Sequence, residues 1–84
     1  MDPYATLAII LNPATVADEF AEARENLNRW LDNGGFKPRV SFDCATYAVV
    51  YCGTTSATVV RVKPLGRLRA DETTVSFNAL TLAA

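Results

Sequence analysis

The sequence predicts an α+β fold in which one amphipathic helix packs across an antiparallel sheet of four strands. Three observations carry this prediction: one long segment repeats its apolar residues at helical spacing, several shorter segments are continuously apolar or alternate, and turn residues separate them. The chain has 84 residues and 50% of them are apolar, which is enough for one core. We therefore expect a single domain over residues 1–84.

The first element is predicted to be a strand. Residues Tyr4 to Leu11 read YATLAIIL, an almost continuously apolar run that contains two β-branched isoleucines. Asn12 and Pro13 close the run with a turn signal. A short apolar run of this kind is typical of a central strand that is buried on both faces.

The second element is predicted to be a helix over residues 14–33. The glycines at 34 and 35 supply a helix terminator, and Phe36 is expected to fold back onto the last turn. Thr15 is the expected N-cap, with Asn12 as the alternative. One apolar stripe recurs at steps of three and four residues: Val16, Phe20, Ala23, Leu27, Trp30 and Leu31.

The central part of the chain is predicted to form a hairpin. Residues 39–52 alternate between two faces and are expected to form one long strand. Residues 53–56 are rich in turn formers, and residues 57–63 are expected to form the returning strand. Because the alternation is unbroken, it predicts one dry face and one amphipathic face.

The register of this hairpin follows from the apolar residues. Pairing Val50 with Val60 and Ala48 with Val62 keeps apolar side chains on one face. A shift by one residue would place Arg61 on that face, and a lone buried charge is costly. We therefore expect even-numbered side chains to face the helix and odd-numbered side chains to face outward.

The chain is predicted to end in a fourth strand. Residues 64–66 break the hairpin, residues 67–69 are a short basic stretch, and residues 70–72 form a loop before a strand over residues 73–82. The apolar parity changes within this strand, which predicts a bulge near Asn78 or two buried faces. The resulting β-α-β-β-β order is that of cystatin-like proteins, although the inhibitory hairpin and the tryptophan-bearing loop of cystatins are absent.

The composition argues against catalysis and against a cofactor or metal. The chain has no histidine, which removes the commonest general base and the commonest metal ligand. Its two cysteines, Cys44 and Cys52, would lie about 26 Å apart on one strand, too far for a disulfide. We expect both to be buried, reduced thiols, with Cys52 the more accessible of the two.

The predicted helix carries an acidic face, formed by Asp18, Glu19, Glu22 and Glu25. Steps of three and four residues bring such carboxylates together, but no second cluster faces them. A solvated helix face is therefore the simpler interpretation. With 8 basic and 9 acidic side chains, the net charge of −1 argues against a bulk electrostatic partner such as a membrane surface.

The clearest functional signal is a basic and aromatic face on the outside of the predicted hairpin. Tyrosine and arginine anchor protein interfaces, and the same groups stack on bases and bind phosphates. A solvated sheet face that keeps the protein soluble would carry similar residues. The predicted partner-binding residues are Tyr47, Tyr51, Arg61 and Lys63, extended by Arg67 and Arg69.

These features predict a small non-enzymatic protein-binding module, such as an inhibitor, an immunity-type protein or a phage or bacterial accessory protein. One alternative is nucleic-acid binding by the basic hairpin, and another is a self-associating structural subunit whose final strand pairs with its copy. A homodimer would add burial to a short chain. We find no signal peptide and no apolar run of membrane-spanning length, so we expect a cytoplasmic protein without a membrane partner.

Overall fold

Two helices lie on one face of an antiparallel sheet of five strands in the computed structural model, which describes residues 2–62 and 68–83. The α+β class is therefore confirmed, but the single helix and the four-stranded sheet are not. The strand order in the sheet is β4-β3-β2-β1-β5. The elements are α1 (Pro3–Leu11), α2 (Ala17–Asp32), β1 (Arg39–Phe42), β2 (Ala45–Cys52), β3 (Ser56–Val62), β4 (Leu68–Ser76), a 3₁₀ turn (Phe77–Ala79) and β5 (Thr81–Leu82).

The segment predicted as the first strand is instead the helix α1. Asp2 caps it, because its side-chain oxygen accepts hydrogen bonds at 2.9 and 3.3 Å from the N–H groups of the next turn. A proline occupies the first helical position, where its missing N–H costs nothing. Leu7 and Ile10 are buried one turn apart. A run this short and this apolar contains no polar face, so its periodicity cannot separate a helix from a strand.

The predicted second helix is confirmed as α2. Its N-cap is Val16, which makes no side-chain cap hydrogen bond. The Thr15 hydroxyl instead donates to the carbonyl oxygen of Ile9 at 2.7 Å, tying the linker to the end of α1. Neither Thr15 nor Asn12 therefore caps α2. The buried side chains of α2 all come from the predicted stripe: Ala23, Leu27 and Leu31.

The long strand predicted over residues 39–52 is two strands joined by a tight turn. Phe42 pairs with Ala45, so only Asp43 and Cys44 lie in the turn. Both have positive φ, 51° and 62°, which is the backbone of a type I′ hairpin. A two-residue hairpin turn reverses the chain while the apolar alternation continues. The parity of the inward residues therefore changes from even in β1 to odd in the first half of β2.

The register of β2 with β3 also differs from the prediction. Ala48 pairs with Val60 and Val49 with Val59, a shift of two residues from the predicted pairing of Ala48 with Val62. A bulge at Val50 then adds one residue to β2. Beyond this bulge even-numbered residues of β2 point inward again. The pairs beyond the bulge are Tyr51 with Thr58 and Cys52 with Ala57.

The core therefore lies on a different face of the hairpin from the one predicted. Val49 and Val59 are fully buried and belong to the cluster that contains the helix residues Leu7 and Leu27. Ala48 and Val60 are buried but do not belong to that cluster. We call the helix-covered side the inner face and the opposite side the outer face. The inner residues of the core cluster are Val40, Val49, Cys52, Ala57, Val59 and Val75.

The end of the chain crosses from one sheet edge to the other. Strand β4 includes residues 70–72, which were predicted as a loop. It pairs with β3 and forms one edge of the sheet. The 3₁₀ turn then directs the chain to β5, which pairs with β1 at the opposite edge. This turn accounts for the change in the parity of the apolar residues that was predicted near Asn78. Leu80 and Leu82 differ in parity from Val75 because they follow it.

Candidate interaction surface

The structure brings some of the predicted partner-binding residues together and separates others. Tyr47 and Arg61 are paired on the inner side of the sheet, where Arg61 is exposed and the Tyr47 ring packs 5.9 Å from the Phe42 ring. Tyr51 lies on the outer face instead, because the bulge changes its direction. Arg69 lies in β4. Lys63 and Arg67 lie outside the described residues.

The outer face combines a short apolar row with polar ends. Arg39 pairs with Ala48, Ala48 with Val60, and Val60 with Glu72. No helix within residues 2–62 and 68–83 packs on this side, since both helices join the core cluster on the inner face. The apolar side chains of the outer face are Ala48, Val50, Val60 and Val62.

Tyr51 stands at the end of the outer face, beside α2. Its side chain is 48% exposed. The Arg24 guanidinium donates to the Tyr51 hydroxyl at 3.4 Å and to the Gly53 carbonyl at 3.1 Å. The ring is therefore held at one edge and open to solvent over much of its surface, which suits an interface anchor.

Asn28 fixes α2 against the upper half of β2. This half extends past the end of β1, so its backbone lacks a neighbouring strand on that side. The Asn28 side-chain oxygen accepts from the Cys52 N–H at 2.8 Å, and its amide donates to the Cys52 carbonyl at 3.0 Å. One side chain thus satisfies both backbone groups and replaces a missing strand partner.

An aromatic cluster at the end of α2 was not predicted from the sequence beyond the return of Phe36 to the helix. The Phe36 ring lies 5.5 Å from the Trp30 ring and 6.2 Å from the Tyr4 ring. The Trp30 indole N–H donates to the Phe36 carbonyl oxygen at 2.9 Å. Phe36 is nevertheless 57% exposed. The indole thus attaches the loop to α2, while more than half of the Phe36 side chain is exposed to solvent.

Basic residues and the outer face border this cluster. Tyr4 accepts a hydrogen bond from the Arg39 backbone N–H at 3.0 Å, which joins α1 to β1. Since Arg39 pairs with Ala48, the cleft continues onto the outer face. The open cleft, of about 500 Å³, is lined by Tyr4, Gly35, Phe36, Lys37, Arg39 and Ala48. We call Phe36, Lys37, Arg39, Tyr51 and the four outer apolar residues the interaction surface.

The sequence held only part of the signal for this cleft. The glycine pair before Phe36 indicated a turn, but Tyr4 was assigned to a buried strand and so had no reason to meet Phe36. Lys37 and Arg39 were too few to be read as a basic cluster. The glycine at position 35 was the one sequence feature that indicated this packing, because only a residue without a Cβ can lie against the Trp30 ring.

Replacing Gly35 with alanine is expected to disturb the aromatic cluster. The added Cβ would lie 2.3–2.6 Å from three atoms of the Trp30 ring, so the ring or the loop must move. Trp30 is the only tryptophan, and its fluorescence reports this movement directly. Gly34→Ala is the matched control, because its Cβ would meet nothing within 4 Å although its φ of +83° is strained. An altered emission spectrum is expected for Gly35→Ala alone, and equal spectra would contradict this packing.

The solvent exposure of the two cysteines is the reverse of the prediction. Cys44 is exposed in the hairpin turn, whereas Cys52 is fully buried in the core. Burial raises the pKa of the Cys52 thiol from its ordinary value of 9.0 to about 12, and the Arg24 charge opposes this shift only in part. Both cysteines are free, as expected.

Thiol labelling is expected to count one reactive cysteine in the native protein and two after denaturation. Cys44 should react with a maleimide at neutral pH, and the Cys44→Ser variant should lose the native reaction. Since Cys52 keeps its proton in the fold, the free energy of unfolding should fall as the pH rises above 9.0, where the unfolded thiol ionises first. Rapid native labelling of the Cys44→Ser variant would show that Cys52 is accessible.

Charge is distributed unevenly around the surface. The carboxylates of α2 lie on its exposed side, where Glu25 pairs with Arg29 at 2.9 Å. Lys37 and Arg39 stand at the aromatic cleft. Among the described residues no group of three histidine, cysteine or carboxylate side chains is placed to hold a metal ion. The helices in the same part of the chain are too short or too polar to cross a membrane.

Comparisons with known proteins add no assignment. No protein-family model, no curated protein and no solved structure matches this chain.

Proposed function

We propose that this chain is a non-enzymatic protein-binding module that acts through the interaction surface. One observation carries the proposal: both helices pack on the inner face, while the exposed rings of Phe36 and Tyr51 border the outer face. Of the apolar residues of the outer face, Ala48 and Val60 are buried, and Val50 and Val62 are partly exposed. Exposed apolar surface rimmed by polar groups marks sites of association. Rigid aromatic side chains lose little entropy on binding and are common anchors of such sites.

The chemistry of the cleft favours an acidic partner segment with an apolar anchor. Phe36 and Tyr4 line the cleft and would contact an apolar side chain of the partner. Lys37 and Arg39 lie next to them and would meet carboxylates of the partner. The exposed acidic side of α2 would repel the same partner, so the partner is directed to the cleft, where Lys37 and Arg39 stand.

A protein partner is favoured over a nucleic acid by the small number of cations. Nucleic-acid affinity comes mainly from neutralising several phosphates, and the net charge here is −1. Two cations beside the cleft supply few phosphate contacts. A protein anchor needs only the central apolar contact and a few charges at the rim.

Selection from a displayed library of random peptides tests the proposal with a defined probe. The wild-type protein is the target, and the Phe36→Ser variant is used for counter-selection. Peptides enriched on the wild type are expected to carry carboxylates and at least one aromatic or large aliphatic residue. Synthetic versions should bind at least about tenfold more weakly to Phe36→Ser and to Lys37→Glu, as the loss of one anchor implies.

Two results would contradict the proposal. One is enrichment of peptides that bind the wild type and both variants equally, which would place binding elsewhere. The other is tight binding of a labelled single-stranded oligonucleotide at low salt, with affinity that falls steeply as salt is added. Arg61→Glu is the charge-matched control, because Arg61 is exposed on the inner side of the sheet, and this change should leave peptide affinity unchanged.

A further inference from the structure

Strand β4 presents an open edge of the sheet. It pairs with β3 on one side, and the sheet order places no strand on its other side within the described residues. From Glu72 to Ser76 its pairing with β3 is regular. Proline, charged side chains and bulges usually prevent an edge from pairing. This stretch contains no proline and no bulge, and its one charged residue, Glu72, lies at its end.

The backbone groups that face outward can be assigned from the hydrogen bonds of the neighbouring turn. The Phe77 N–H donates to the Thr55 carbonyl, which makes this a hydrogen-bonded pair. Such pairs alternate along an antiparallel ladder, so Val75 also points its backbone groups toward β3. The N–H and C=O groups of Glu72, Thr74 and Ser76 therefore point away from the sheet.

We propose that a second copy of this chain pairs with the open edge, giving a homodimer with one continuous antiparallel sheet. The two-fold axis passes beside Thr74, so Thr74 faces Thr74 of the second copy. Glu72 then faces Ser76, and all the outward backbone groups of these residues find partners. This dimer forms through the edge of β4 and not through the interaction surface, so it is separate from the proposed function.

The side chains of this stretch favour a copy of the same strand. In the register centred on Thr74, the Glu72 carboxylate meets a serine hydroxyl and no like charges oppose each other. On the inner side Thr73 faces Val75, which extends the apolar row of the core. The opposite edge of the sheet is less suited to pairing with a second copy, because β5 has only two residues and α1 packs near it.

Sedimentation velocity over a range from low micromolar to millimolar concentrations tests the dimer. The wild type is expected to shift from monomer to dimer as its concentration rises. Thr74→Pro removes an outward N–H at an edge position that tolerates proline, and it should weaken association at least about tenfold. Thr74→Val keeps the N–H and should leave association unchanged. Thr74→Lys, which places two like charges together, should also give a monomer.

A cross-link tests the register. In a Cys44→Ser background, Thr74→Cys is expected to form a disulfide dimer on oxidation, since paired Cα atoms lie about 5.5 Å apart. Glu72→Cys in the same background should not cross-link to itself. A wild type that stays monomeric at millimolar concentration overturns the proposal, as does a dimer that Thr74→Pro and Thr74→Lys leave intact. Neither result bears on peptide binding at the interaction surface.

Discussion

Val49→Asp is expected to unfold the protein, while Val50→Asp is expected to leave it folded. Val49 is fully buried in the core cluster beneath the helices. A carboxyl group at that position loses its water and finds no partner, which costs about 4 kcal/mol or more. Val50 lies on the outer face at the bulge and is half-buried, so the same change there costs about 1 kcal/mol or less.

Urea unfolding followed by circular dichroism measures both variants. Both positions are valines in the same strand. A difference between the two variants in the free energy of unfolding therefore reports which face of the sheet each position occupies. The opposite ranking, with Val50→Asp unfolded and Val49→Asp folded, is what the parity predicted from the sequence would require. Equal effects would show that both faces of β2 are covered.

Asn28→Ala is expected to lower the free energy of unfolding by about 2 kcal/mol. Its side chain satisfies both the N–H and the carbonyl of Cys52 at 2.8 and 3.0 Å, and alanine leaves both groups without a protein partner. The same change should speed hydrogen exchange of the Cys52 amide, because that N–H would then have no acceptor. Chemical denaturation and exchange measured by NMR report the two effects separately.

Asn26→Ala is the matched control for this prediction. Asn26 lies on the same helix, is also partly buried, and makes no side-chain hydrogen bond within the described part of the chain. Its replacement is expected to change stability by about 0.5 kcal/mol or less. Equal losses for the two variants would show that the Asn28 bridge does not hold α2 against β2.

The sequence was sufficient to predict helix α2. Helix α2 has an apolar stripe from Phe20 to Leu31 and a glycine terminator, and both were visible in the sequence. Val16, which was predicted to begin the stripe, is the exposed N-cap instead. The first helix was mistaken for a strand because a short run without polar residues fits either structure. Its capping aspartate, Asp2, and the proline after it were the available signals, and they identify the start of α1.

The faces of the hairpin could not be predicted from alternation alone. A two-residue turn at Asp43 and a one-residue bulge at Val50 each change the parity of the inward residues. Neither interrupts the apolar pattern, because valine and alanine occupy both faces. Tyr51 was placed on the outer face correctly, since the two changes cancel before it. Tyr47 lies between them and therefore points to the opposite side.

Methyl NOE spectroscopy tests most directly whether the helices leave the outer face open. With both helices on the inner face, NOEs are expected from the Leu7 and Leu27 methyl groups to Val49 or Val59, and none from these leucines to Val50 or Val60. NOEs that join Leu27 to Val60 would place the helices over the proposed interaction surface and contradict it.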